Sequence, residues 1–155
     1  MRKVVLGSFV MYLFALVIIL FMGGRSANYA QGLPLLEYLK NSSNFVPLKT
    51  INMYIWALES GTMSKVIPIY NLVGNLLLFL PMGIYLPLLF KGLGRFMKYI
   101  GMILFVLTCV ESIQIISRLG RFDVDDLLLN TAGAVVGFMM YQLVKSVYKK
   151  VKIPV

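Results

Sequence analysis

The sequence predicts an all-α integral membrane protein, a four-transmembrane-helix bundle whose long external loop carries a candidate interfacial helix. Three observations predict it: an extreme composition, four apolar runs of spanning length, and an uneven distribution of basic residues around those runs. Of 155 residues, 59% are hydrophobic and 14% charged, with a mean hydropathy of +0.84. Soluble domains average roughly 25% charged residues. The apolar runs use most of the length, so residues 1–155 are expected to form a single membrane domain, with function carried by the bundle and its loops.

The first run, residues 4–24, is uncharged and rich in Leu, Val, Ile and Phe, and a spanning helix needs about 20 such residues. Met1-Arg2-Lys3 ahead of it resembles the start of a signal peptide. The run is too long for a signal-peptide core and no small-x-small cleavage site follows, so an uncleaved anchor is expected. Residues 25–65 then form a long loop in which Ile51, Ile55 and Leu58 recur at helical spacing beside Tyr54 and Trp56. That pattern predicts a short helix lying in the membrane interface. Residues 66–90 form the second span, with Pro81 expected to kink it. The third span, 99–117, contains Glu111 and Gln114, and the fourth, 127–144, contains Asn130. Short charged connectors, 91–98 and 118–126, make the last three spans consecutive antiparallel hairpins.

Four spans leave both termini on one side. Arg2, Lys3, Lys91, Arg95, Lys98, Lys145, Lys149, Lys150 and Lys152 fall on that side. The basic residues of the opposite side are spread over far more chain and accompanied by Glu37, Glu59, Asp123, Asp125 and Asp126. The excess of Lys and Arg in short loops marks the cytoplasmic face, so both termini are expected inside. The net charge of +9 is explained by this topology and by anionic lipid headgroups, and no nucleic-acid partner is expected. The chain has no histidine, which excludes Ser-His-Asp chemistry and histidine-ligated metals. Cys109 stands alone in an apolar run and reads as a packing residue.

Ionisable and amide side chains are costly in hydrocarbon, so a spanning helix that keeps them turns them toward partners or a wet cavity. Glu111, Asn130, Asn71 and Asn75 fall between ~5 and ~10 Å from the external ends of three different helices at 1.5 Å rise per residue. Glu111, Gln114 and Arg118 share one helical side, as do Asp126, Asn130, Gly133 and Gly137. Gly133 and Gly137 form a GxxxG pair that lets another backbone approach. The candidate ligand-binding residues are therefore Arg25, Asn71, Asn75, Gln114, Arg118, Arg121 and Asn130. Glu111, Asp123 and Asp126 are the candidate acid–base residues. Three aspartates in one loop are weak grounds for Mg2+ or Ca2+, and no metal or cofactor is expected. Amide and ion-pair networks also hold helices together without further function.

Several separated motifs carry a family resemblance. They are Asn71-Leu-Val-Gly-Asn75 with Pro81-Met-Gly83, Glu111-Ser-Ile-Gln114, and Gly120-Arg121-Phe-Asp123-Val-Asp125-Asp126 followed by Asn130-Thr-Ala-Gly133. Together with Asn44-Phe-Val-Pro47-Leu-Lys49-Thr50-Ile51 and Arg25 after the first span, they resemble the VanZ-like family over most of the chain. The resemblance implies a small multi-pass protein of the bacterial cell membrane, of the kind named for teicoplanin resistance. Three functions follow as alternatives. The first is an outer-leaflet protein that engages an amphiphile, either a lipoglycopeptide or a lipid-linked wall precursor. The second is a membrane-embedded acid–base enzyme acting on a lipid-linked envelope substrate. The third is an accessory subunit of a membrane complex, its protein partners unidentified.

Overall fold

A computed structural model describes residues 2–22 and 32–151. Helix α1 (Arg2–Met22) is followed by the short α2 (Leu35–Asn41), a two-residue strand β1 (Ser43–Asn44) and α3 (Lys49–Ser60). Then come α4 (Val66–Leu89), a 3-10 turn (Lys91–Gly94), α5 (Phe96–Ile116), strand β2 (Phe122–Asp123) and α6 (Val124–Val151). The helices α1, α4, α5 and α6 are each long and apolar enough to cross a membrane. The protein is thus the expected four-span helical bundle with a short interfacial helix, α3. Its exposed surface is apolar along the spans, as at Phe14, Phe105 and Leu143, where lipid rather than water is the solvent.

The boundaries differ from expectation in one instructive respect. Helix α6 runs on to Val151 and α5 begins at Phe96, because basic residues beyond the hydrocarbon do not end a helix. Lys145 stays helical, its Nζ 5.5 Å from the Tyr141 ring centroid.

Helix α4 continues through both Pro81 and Pro87. Pro81 supplies no amide to the carbonyl of Leu77, and on the next carbonyl, that of Leu78, the Tyr12 hydroxyl donates from α1 at 2.8 Å. The closest pairing in the bundle is α4 against α6. A Cβ built on Gly133 falls on the carbonyl oxygen of Leu76, one on Gly137 on that of Leu80, and one on Gly83 on that of Ala134. Glycines on both helices therefore let backbone meet backbone. Helix α5 packs beside them through Tyr99, fully buried, which stacks on Phe138 at 4.5 Å and donates its hydroxyl to the Ala134 carbonyl at 2.8 Å. Phe79, Ile103 and Leu107 fill the space between. Tyr99→Phe keeps the stack and removes only the hydrogen bond, so the purified protein should lose ~0.5–1.5 kcal/mol, read as a small drop in thermal midpoint.

The two ends of the bundle differ in character. At one end, Gln142 of α6 donates to the Gly94 carbonyl at 2.9 Å, and Arg2 lies beside the 90–92 turn. The other end gathers α2, β1, α3 and the α5–α6 connection into a cap.

Candidate functional site

The cap is assembled by two aspartates, Asp123 of β2 and Asp125 at the start of α6. Strand β1 pairs in parallel with β2, Ser43 opposite Phe122 and Asn44 opposite Asp123. The Asp123 carboxylate accepts from Asn44 Nδ2 and the Asp125 amide, both at 2.9 Å, and from Thr50 Oγ1 at 2.7 Å. Asp125 is fully buried and reaches the first turn of α3: it accepts from the amides of Leu48 and Thr50, both at 2.6 Å, and of Ile51 at 3.2 Å. Those amides have no partner within their own helix, and a carboxylate there also meets the positive end of the helix dipole. Leu48 adopts φ 65° to present its amide, a left-handed conformation costly for a branched side chain.

The opposite wall of the cap is the turn that ends α5. Arg118 takes φ 57°, while the amides of Leu119 and Gly120 return to the Gln114 carbonyl at 2.9 and 3.1 Å, closing the helix as a glycine would usually do. The Arg118 guanidinium lies 5.3 Å from the Tyr38 ring centroid, and the Tyr38 hydroxyl donates to the Gly120 carbonyl at 2.6 Å. A cation over an aromatic face and a buried hydrogen bond thus offset the backbone strain.

Beneath the cap the polar residues of the spans converge. Glu111 is buried, and its Oε2 accepts from the Asp123 amide at 3.4 Å. Asn75 of α4 donates from Nδ2 to Asp126 Oδ1 of α6. Gln114 donates from Nε2 to the Leu20 carbonyl at 2.8 Å, tying α5 to α1. Asn130 is buried one turn below Asp126, and its Oδ1 has no hydrogen-bond partner among the described residues. Between cap and bundle opens a cleft of about 470 Å³ whose lining includes Asn71, Gln114, Arg121, Asp123 and Asp126, with Lys49, Thr50 and Tyr54 on the α3 side. Among the described residues, no three acidic or thiol side chains gather to hold a metal ion.

A family model described as VanZ/LLP1 matches residues 9–145. The chain belongs to the VanZ/LLP1 family. It is also similar to Protein VanZ of Enterococcus faecium, with 33% identity over 73 residues, which cover 47% of this chain and 45% of that protein. The similarity therefore spans less than half the length of that relative. No solved structure matches the chain.

In this VanZ/LLP1 protein, the residues expected to act together divide into three groups. Asn71, Gln114, Arg121, Asp123 and Asp126 line the cleft. Asn75 and Glu111 lie behind that lining, against Asp126 and the Asp123 amide respectively, and Asn130 is deeper on α6. Arg118 contributes to the turn and to the contact with Tyr38. Arg25 lies outside the described residues. Asp125, Asn44, Lys49 and Thr50 were absent from the expected set, although all four fall in the motifs that carry the family resemblance. The Asn44-to-Thr50 segment held the available signal, because an Asn, a Lys and a Thr around a Pro form a turn rather than an anchoring stretch.

Proposed function

We propose that this VanZ/LLP1 protein lies in the bacterial cell membrane with both termini cytoplasmic and the cleft opening to the outer leaflet. There it engages the polar part of an amphiphile, a lipid-linked wall precursor or a lipoglycopeptide, and lowers susceptibility to teicoplanin. The observation that carries the reading is the cleft itself. Side chains of both charge signs and several amides, drawn from the spans α4, α5 and α6 and from the cap, surround one space of about 470 Å³. Beside it, Met53, Ile55 and Trp56 of α3 expose apolar surface suited to a leaflet. A molecule with a polar head and a lipid tail is matched by that juxtaposition.

Susceptibility to teicoplanin and to vancomycin, which lacks the lipid tail, tests the proposal in cells with and without the gene. The gene should lower teicoplanin susceptibility several-fold and leave vancomycin unchanged. Equal susceptibility under all four conditions would remove the assignment.

A second reading, a membrane-embedded acid–base enzyme, draws support from the burial of Glu111 beside the cleft and from Asp126 in its lining. Asp123 suits such a role less, since three donors already hold its carboxylate. Glu111→Gln and Asp126→Asn preserve shape while removing the proton-transfer group. On the enzymatic reading, lipid profiles of cells carrying either variant should match those of cells without the gene. Normally expressed variants that retain the full wild-type profile would exclude catalysis by these carboxylates.

A further inference from the structure

We infer that the headgroup this cleft takes is uncharged and bears hydroxyl and amide groups, and is not a phosphate. The inference rests on the proposed role of the cleft in binding an amphiphile and narrows what that amphiphile carries. Two features of the lining point the same way.

The first is charge. Among the described lining residues the cations are Lys49 and Arg121 and the carboxylates are Asp123 and Asp126, so the formal charges cancel. A phosphate is held by a surplus of positive charge or by the free amides of a helix N-terminus. Two helices start at this site: the α3 amides at Leu48, Thr50 and Ile51 are already turned onto Asp125, and at the start of α6 the Asp125 amide is held by Asp123 Oδ1.

The second feature is hydrogen-bond sense. Asn71 donates from Nδ2 to the Ile67 carbonyl, and Ser43 donates from Oγ to the Leu39 carbonyl. Ser43 is left with its lone pairs, and Asn71 with its Oδ1 acceptor and a second N–H. Asp126 adds a carboxylate to the lining, whereas that of Asp123 already accepts from three donors. A fully ionised phosphate ester offers acceptors and no donor, so it would leave Asp126, Asn71 Oδ1 and Ser43 with nothing to accept from it. Hydroxyl and amide groups bring O–H and N–H donors and also accept from Lys49 and Arg121 at the mouth.

The test uses the full-length protein in phosphatidylcholine nanodiscs, titrated with n-octyl N-acetyl-β-glucosaminide or with octyl phosphate, and empty nanodiscs to subtract partitioning. Trp56, the single tryptophan, lies on α3 close to the cleft residues Met53 and Tyr54 and reports occupancy by fluorescence. The glycoside should saturate the signal and octyl phosphate should not. Asn71→Ala, which alters an incompletely buried position, and Asp126→Asn should each weaken the glycoside about tenfold, the scale of one lost hydrogen bond to a polar or charged group. Saturation by octyl phosphate at lower concentration, abolished by Arg121→Gln, would overturn the inference. So would glycoside binding indifferent to both cleft substitutions, or no saturable glycoside binding at all. The susceptibility assay separates the two proposals. Loss of the teicoplanin effect in cleft variants without glycoside binding sinks only the headgroup assignment, whereas saturable, cleft-dependent glycoside binding with unchanged teicoplanin susceptibility sinks the resistance role.

Discussion

Gly133→Val should eliminate stably folded protein. A side chain at this position meets the Leu76 backbone carbonyl rather than a flexible neighbour, so the only relief is separation of α4 from α6. Ordinary overpacking costs roughly 1–3 kcal/mol because side chains can shift; here none can, and the expected cost is ~3 kcal/mol or more. Losing the α4–α6 contact also moves Asn75 away from Asp126, so the cleft floor is lost with the packing. Size-exclusion profiles and thermal midpoints of solubilised protein check the prediction. Gly101→Ala is the control, since nothing lies within 4 Å of a Cβ there, and it should leave both measurements unchanged.

Asp125→Ala should leave the bundle intact and release the cap. Its carboxylate is the shared acceptor for the Leu48, Thr50 and Ile51 amides, and each buried group left without a partner costs about 1–3 kcal/mol. The α4–α6 glycine contact does not involve α3, so the spans should still associate. Trypsin cleavage after Lys49, slow while α3 is held, should accelerate at least about tenfold as local opening becomes more populated. Asp125→Asn, which keeps one acceptor oxygen and turns an amide toward donors, should fall between. Cleavage at Lys49 at the wild-type rate in Asp125→Ala would show that this carboxylate does not secure the cap.

The spans were legible because hydrocarbon imposes a simple demand: about 20 apolar residues with few charges. The Gly133–Gly137 pair and the clustering of Asn75, Glu111 and Asp126 were legible for the same reason, since lipid leaves small or polar side chains few alternatives to facing a neighbour. The division of labour among Asp123, Asp125 and Asp126 was not. Successive positions near a helix start point about 100° apart, and which carboxylate meets α3 depends on where a loop about 75 residues earlier in the chain returns. Two-residue strands such as Ser43–Asn44 and Phe122–Asp123 carry no periodic signal at all. Arg118 shows the converse: helical spacing put it on the face shared with Glu111, but the helix ends at Ile116 and Arg118 lies in the turn beyond it, over the Tyr38 ring.

The central claim is that the polar cleft opens to the outside of the cell, and access of a membrane-impermeant maleimide to single cysteines measures it directly. In a Cys109→Ser background, Asn41→Cys and Arg121→Cys, at two exposed positions in the cleft lining, should label in intact cells, and Lys145→Cys at the other end of the bundle should label only after permeabilisation. Labelling of Lys145→Cys from outside, with Asn41→Cys and Arg121→Cys protected until the membrane is opened, would contradict the account.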